Sequence, residues 1–357
     1  VAFPRAVAAS FWTWLLSSAM AVLAWMLNGG PGGGDPKMVD LSYFATGVAI
    51  VALLVAAIAV ATTVITFRAP GMTLDRVPFF SWSMVLATGI WVLTLPVLIA
   101  QFIVIYLDHH YGIADTFAPA SAPQQWSMIS WAFSSPQVFA YAIPALGIAA
   151  DAITTIAKAR QPQRGVVLTA FGLFGVLAIG AWVQPAFYAD IYENWTFVVW
   201  SVLLGLPLLL LLGGIGGALR NGKFTGASPL LGGLLAIVTL LLGAIAAGVT
   251  AIPPLRFHES ASQYPERVQN LTTGIWFQPV AQIGVYGLVI LGAAAGAVAG
   301  LAYWGSKISG HKVTDAAGKL ATTLVVVGAL LYGLPFIVIG LSGRTASLGE
   351  SGTVDLL

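Results

Sequence analysis

The side chains best suited to metal or acid–base chemistry in this 357-residue sequence are four histidines, and none of them lies within a long apolar segment. His109 and His110 are adjacent, with Asp108 before them and Asp115 shortly after them. Imidazole and carboxylate groups are common transition-metal ligands, so this pair predicts either a surface metal site or a polar cluster at a helix end. The remaining two histidines are His258, close to Arg256, and His311.

Cysteine is absent, which excludes disulfides and thiolate metal sites. The polar groups inside the long apolar segments are uncharged. In hydrocarbon such groups must find hydrogen-bond partners, so we expect them to face the interior of a helix bundle. Interhelical hydrogen bonds and a water-filled or quinone-lined cavity both fit this pattern. The residues are Gln101, Ser134, Ser135, Gln137, Gln184, Gln278 and Gln282.

The elements that must position these groups are membrane helices. Hydrophobic residues make up 58% of the sequence and charged residues 8%, and the mean hydropathy is +0.90. Soluble domains carry about 25% charged residues, so an ordinary soluble fold is excluded. The sequence predicts an all-α, polytopic membrane helix bundle, with residues 1–357 as a single membrane domain. About nine stretches have the length and apolarity of a span: 8–27, 42–67, 82–107, 126–150, 166–187, 195–219, 230–252, 276–304 and 320–342.

The charges fall between these spans and alternate in sign. The N-terminus and the loops on its side hold 11 basic and 3 acidic residues, whereas the other side holds 4 basic and 10 acidic residues. The bias predicts a cytoplasmic N-terminus and an outer C-terminus. The acidic outer side is either a solvated face or a dock for a basic partner. Residues 1–7 are not expected to be a signal peptide. Because the sequence opens on Val, its N-terminus could be native, processed, split or incomplete.

Three segments resemble subunit I of the haem-copper (cytochrome c) oxidase family. Val-Ala-Phe-Pro-Arg at 1–5, running into Ser-Phe-Trp at 10–12, is similar to the start of the third family helix. Residues 63–82, with Phe-Arg-Ala-Pro-Gly-Met-Thr at 67–73, resemble the turn between helices four and five. Trp-Ala-Phe-Ser-Ser-Pro-Gln-Val-Phe at 131–139 resembles the sixth helix. The resemblance implies a degenerate or truncated member whose nine spans correspond to helices three to eleven, in a bacterial-type cytoplasmic membrane.

The resemblance also implies where redox ligands would lie, and those positions hold other residues here. In the family the sixth helix supplies a copper-ligand His, a proton-channel Glu and a Tyr, the seventh a pair of copper-ligand His, and the eighth a channel Lys. The corresponding residues are Ser135, Gln137, Phe139, Gln184, Pro185 and Leu211. The haem-ligand histidines of helix ten fall near Gly284 and Tyr286.

A count of ligands leads to the same expectation. The family centre needs six membrane histidines for two haems and copper, and this sequence has four histidines outside its spans. Proton relays need ionisable groups within the membrane, and the apolar cores of the spans contain none. We therefore expect no haem, copper or other metal bound by this chain alone, and no catalytic residue in it.

Three functions fit these observations. The first is a redox-inert, subunit-I-like subunit that serves as a scaffold or anchor for catalytic or electron-transfer partners in a respiratory complex. The second is a portion of a split cytochrome c oxidase subunit I whose other helices and ligands are on another chain. The third is a protein that binds or transports a quinone or lipid. The expected partners are the bilayer, other membrane subunits and, through the family, a c-type cytochrome at the acidic outer face, with no nucleic acid.

Glycines at four-residue spacing predict a helix-packing face. Gly292, Gly296 and Gly300 share one side of the eighth span, and small residues let helices approach closely. The pairs at 213–214 and 216–217 form a similar set in the sixth span. Packing within the bundle and packing against another subunit both explain these glycines.

Overall fold

The computed structural model describes residues 1–30, 33–112, 122–159, 161, 163–180, 195–251, 279–311 and 313–341. Helices dominate these ranges, and Gly29–Gly30 pairs with Gly33–Gly34 as two short antiparallel strands, β1 and β2. The short 3₁₀ turn Leu74–Arg76 precedes the third helix. The α-helices are α1 (Pro4–Met26), α2 (Pro36–Thr66), α3 (Phe79–Tyr111), α4 (Ala122–Ile156), α5 (Arg164–Gly180), α6 (Trp195–Leu203), α7 (Gly205–Asn221), α8 (Ser228–Ala251), α9 (Pro279–Ser309) and α10 (Asp315–Leu341).

The predicted all-α membrane fold is confirmed. Eight helical segments in the described ranges are long and apolar enough to cross a membrane, with α6 and α7 contributing one segment, Val199–Asn221. The predicted span 166–187 corresponds to α5, an apolar helix shorter than the eight segments above. The last residues of this predicted span lie outside the described part of the chain. The chain is therefore a multi-pass membrane protein.

Several helices extend beyond the predicted apolar cores into polar turns. Helix α2 begins at Pro36 rather than near residue 42, since the Asp35 carboxylate accepts hydrogen bonds from the backbone N–H groups of Lys37 and Met38. Helix α3 runs on to Tyr111 and ends where Gly112 takes a left-handed conformation. Membrane helices thus carry polar first and last turns, which apolar length alone does not reveal.

Residues Val1–Ala140 form one compact unit. Within it α1 packs on α2, and α2 packs on α3. The buried residues of α1 are small and seven apart, Ser10, Ser17 and Ala24, which places one narrow face against α2. The core between α2 and α3 consists of Ile50, Leu95, Leu98 and Phe102.

Residues Tyr141–Leu357 form the second compact unit. Within it α9 packs on both α8 and α10, and α5 packs on α7. One core cluster joins α9 to α10 through Val285, Leu288, Ala329 and Ile337. The boundary between the units falls inside α4, and the expectation of a single membrane domain stays a prediction.

Candidate functional site

Gln137, which the resemblance aligns with the family's proton-channel Glu, makes a buried interhelical hydrogen bond. Its side chain is 7% exposed, and Nε2 donates to Oγ1 of Thr94 at 3.0 Å, which links α4 to α3. The Thr94 hydroxyl in turn donates to the carbonyl of Ile90 at 2.9 Å. A neutral amide in such a chain supports helix packing, whereas a proton relay needs an ionisable group.

Two further residues that the resemblance aligns with functional positions of the family have buried hydrocarbon side chains. Phe139 in α4 and Leu211 in α7 are both almost fully buried. Neither side chain offers a lone pair to copper or a proton to a channel. The side chain of Ser135, and Gln184 and Pro185 entirely, lie outside the described residues.

At Gly284, which the resemblance places near a haem-ligand position, the structure leaves no space for a ligand side chain. A Cβ atom at Gly284 in α9 would lie 2.5 Å from the carbonyl oxygen of Gly333 and 2.8 Å from the amide nitrogen of Ile337. Because both are backbone atoms of α10, an imidazole at this position would force the helices apart. Tyr286 is half-buried against the α9–α10 core. Gly284 therefore does not fit a haem ligand at the position to which the resemblance assigns one.

The best-defined polar constellation joins the start of α2 to the end of α3. The two carboxylate oxygens of Asp40 accept hydrogen bonds from Nδ1 of His109 at 2.6 Å and Nδ1 of His110 at 2.7 Å. The His110 ring also stacks on Tyr106, one turn earlier in α3. We name Asp40, His109 and His110 the Asp40 cluster.

Local structure explains why these groups meet. Asp40 lies in the second turn of α2, and the histidines occupy the last turn of α3 before Gly112. Because α2 and α3 are antiparallel neighbours, these two ends lie side by side. An acid near a helix N-terminus and bases near a C-terminus also suit the helix dipoles.

The Asp40 cluster differs from the polar cluster that the sequence suggested. Sequence spacing associated the histidines with Asp108 and Asp115, whereas the structure supplies Asp40, 69 residues before His109. Asp115 lies outside the described residues. In the part of the chain that the structure describes, no group of three or more His, Asp or Glu side chains has the geometry to hold a metal ion. The Asp40 cluster joins the start of α2 to the end of α3 through two hydrogen bonds, and we call this contact the polar clamp.

The glycine face of α9 lies against other helices of the same unit. A Cβ at Gly292 would come within 3.1 Å of Leu240 in α8. At Gly296 and Gly300, it would come within 2.9 Å of Ala145 and 2.7 Å of Ile148, both in α4. These contacts favour packing within the chain as the role of the face.

The glycines of α7 divide into two pairs. A Cβ at Gly214 would lie 2.7 Å from Val167, and one at Gly217 would lie 3.3 Å from Gln163. Gly213 and Gly216 face open space in the described structure. Only Gly214 and Gly217 therefore support close packing within the chain.

Two other polar residues singled out in the sequence, Gln101 and His311, are described and do not belong to the Asp40 cluster. The Gln101 Oε1 atom is buried and has no hydrogen-bond partner among the described residues. The His311 ring forms a hydrogen bond of 2.9 Å with the carbonyl oxygen of Ser309, two residues earlier in the chain. The described residues do not include Arg256, His258 or Gln278, nor the side chains of Ser134 and Gln282.

Comparison with known proteins agrees with the helical architecture. Residues 1–265 match the family model described as cytochrome c and quinol oxidase polypeptide I. The chain is 26% identical to cytochrome c oxidase subunit 1 of Cereibacter sphaeroides, over 96% of this chain and 61% of that protein. It is 25% identical to the probable cytochrome c oxidase subunit 1-beta of Nocardia farcinica, over 90% of this chain and 54% of that protein. It is 24% identical to the heme-copper oxidase subunit I+III of Aeropyrum pernix, over 94% and 41%.

Proposed function

This chain belongs to the cytochrome c and quinol oxidase polypeptide I family, and we propose that it is a redox-inert subunit-I-like membrane subunit of a respiratory oxidase-type complex. In this role it is a scaffold that packs against catalytic or electron-transfer partners. The chain spans 61% or less of the length of the three relatives above. The activity of these relatives is therefore a proposal for this chain.

The observation that carries the proposal is the chemistry of the residues that the resemblance aligns with the family's proton-channel and copper-site residues. Gln137 is buried in a hydrogen bond to Thr94, and Phe139 and Leu211 are buried hydrocarbons. The positions that the resemblance assigns to copper ligands hold Ser135, Gln184 and Pro185, and none of these side chains is an imidazole, thiolate, thioether or phenolate of the kind that ligates copper or haem iron. The close approach of α10 at Gly284 supports the same reading.

We propose the orientation that the charge bias predicts, with the N-terminus in the cytoplasm. The absence of cysteine makes this directly testable, because a single introduced cysteine is the only thiol in the sequence. Asn28 and Phe224 are exposed and lie after an odd and an even number of predicted spans, respectively. We expect a membrane-impermeant maleimide to label Asn28→Cys, and not Phe224→Cys, in intact cells. The reverse pattern would invert the topology.

The same orientation puts the acidic side outside, where a c-type cytochrome is the proposed electron-transfer partner. Asp35 is exposed there, whereas the Asp40 carboxylate is engaged by two imidazoles of the chain itself. Only part of the acidic side is thus free to attract a basic partner. Asp35→Asn removes this charge and keeps the helix cap, so it is expected to weaken such docking at low ionic strength, since exposed charges act chiefly through long-range attraction.

Purification of the chain from its native membrane in mild detergent tests the scaffold role. We expect it to co-purify with other respiratory membrane subunits, with haem assigned by mass spectrometry to those subunits. A partner that supplies missing family helices with membrane histidines would instead establish the split-oxidase alternative. Recovery of the chain free of any respiratory subunit would contradict the scaffold role.

A further inference from the structure

Two loops at one end of the second compact unit are strongly basic. Segments 157–165 and 219–227 together contain five Lys and Arg residues and no Asp or Glu. A backbone hydrogen bond of 2.9 Å from the Lys223 N–H to the carbonyl of Ala157 holds the loops together. A Cβ at Gly222 would come within 2.7 Å of the same carbonyl, so the two backbones are in direct contact.

Three cations on these loops are exposed and unpaired. Lys158, Arg220 and Lys223 make no ion pair or side-chain hydrogen bond within the described part of the chain. We name Lys158, Arg220 and Lys223 the basic loop pair.

Several basic residues elsewhere are already engaged. Arg68 donates to the carbonyl of Met72 at 3.1 Å. Lys319 pairs with Asp315 at 2.6 Å, and Lys307 lies over the ring of Tyr303 at 4.8 Å. The basic loop pair therefore has three exposed cations with no ion-pair partner among the described residues, whereas Arg68, Lys307 and Lys319 each contact another group.

Lys158 has an unusual backbone. Its φ of 51° lies in the left-handed region, where the residue after a helix is usually glycine because a Cβ is disfavoured there. The N–H of the next residue, Ala159, bonds to the carbonyl of Thr154 at 3.1 Å, as in a helix-terminating turn. A long cationic side chain thus occupies a position where glycine would fit with less strain.

An apolar group accompanies the cations. Phe224, directly after Lys223, is 62% exposed, and the loops continue into the apolar helices α5, α7 and α8. Cations beside an exposed aromatic ring match the boundary between phosphate headgroups and acyl chains. A soluble anion would require only the charges, whereas a phospholipid also accounts for the ring.

We propose that the basic loop pair, with Phe224, binds the headgroup of an anionic phospholipid at the membrane surface. This site is independent of the redox-inert role, because it involves none of the family's metal positions. Each basic residue near an anionic surface contributes enough that removal of three is expected to weaken binding by about tenfold or more.

The test compares two variants of the full chain with the same change in net charge. One is K158Q/R220Q/K223Q, and the control is R5Q/R76Q/K307Q, which removes three scattered cations from the same predicted side. Each purified protein in neutral detergent is titrated with phosphatidylglycerol or phosphatidylcholine. Native mass spectrometry measures lipid occupancy. We expect about tenfold weaker phosphatidylglycerol binding in the first variant only, and weak phosphatidylcholine binding in all three proteins.

Equal loss of binding in both variants would overturn the proposal, because it would show attraction by net charge alone. Displacement of phosphatidylglycerol by inorganic phosphate at equal concentration would overturn the assignment to a lipid. The single variant Lys158→Gly separates binding from folding. Glycine relieves the left-handed backbone, so we expect unchanged or higher thermal stability together with weaker lipid binding. Unchanged binding in Lys158→Gly would count against a role for Lys158.

Discussion

The Asp40 cluster gives the most quantitative prediction, for the variant Asp40→Asn. Asparagine keeps the shape of the side chain but replaces one of the two acceptor oxygens with an NH2 donor, so in the same geometry it accepts from only one of the two Nδ1 atoms. The other histidine keeps a hydrogen bond only as the tautomer whose Nδ1 accepts, and neither hydrogen bond then involves a charged group.

The size of the effect follows from exposure. The Asp40 side chain is 18% exposed, whereas those of His109 and His110 are 35% and 43% exposed. A hydrogen bond to a charged group contributes about 1.5–3 kcal/mol when buried, and an exposed ion pair contributes about 0–1 kcal/mol. For this partly exposed cluster we expect Asp40→Asn to lower the free energy of unfolding by about 1–2 kcal/mol.

Thermal unfolding in detergent measures this loss, with Asp35→Asn as the matched control. Asp35 lies at the same end of α2, and the substitution changes the net charge equally. Asn caps a helix about as well as Asp, so the control should stay within about 0.5 kcal/mol of the parent chain. Since about 1 kcal/mol corresponds to a change of about 2–4 °C in Tm for domains of 150–250 residues, Asp40→Asn should unfold several degrees earlier than Asp35→Asn.

A double-mutant cycle then tests whether the loss comes from the clamp. In a chain that already carries His109→Gln and His110→Gln, replacement of Asp40 removes no imidazole hydrogen bond. We expect its cost to fall by about 1–2 kcal/mol in that background. Fully additive effects, or equal destabilisation by Asp40→Asn and Asp35→Asn, would refute the clamp.

Two further predictions concern the helix contacts. Gly296→Ala should destabilise the chain by about 1–3 kcal/mol in thermal unfolding, because the new Cβ would lie 2.9 Å from Ala145. Gly216→Ala is the control and should be neutral or stabilising, since that position is open and alanine favours helix; equal effects would contradict the packing described for Gly296. For Gln137, a cycle with Gln137→Leu and Thr94→Val should give a coupling of about 0.6 kcal/mol, and strict additivity would show that their hydrogen bond contributes nothing.

The sequence was sufficient to predict the helices because a membrane span needs a long apolar run, which is a local property. The sequence predicted the first and last residues of the helices less accurately. Asp35 and Pro36 start α2 several residues before the apolar core, and α9 continues past Lys307 to Ser309. These turns are polar and project from the apolar layer, so hydropathy underestimates them.

The polar contacts could be predicted only in part. The histidine pair was recognisable from its spacing, but its partner Asp40 was not, because the contact crosses from one helix to its antiparallel neighbour. Asp40 comes just before the second predicted span, and the histidines come just after the third. These positions lie on the same predicted side of the membrane, and that is the signal that could have suggested the contact. Similarly, Gly214 and Gly216 look equivalent in the sequence, and only the packing of Val167 distinguishes them.

The central claim is that this family member holds no redox centre of its own, and an optical spectrum tests it most directly. The full chain is expressed alone with haem and copper supplied, purified in mild detergent, and analysed by a reduced-minus-oxidised difference spectrum and by elemental analysis. We predict no haem absorbance bands and less than stoichiometric iron and copper, because Ser135, Gln184 and Pro185, which the resemblance aligns with copper ligands, and Gly284 near a haem ligand supply no ligand for either metal. Haem bands together with one equivalent of iron or copper per chain would contradict the proposal.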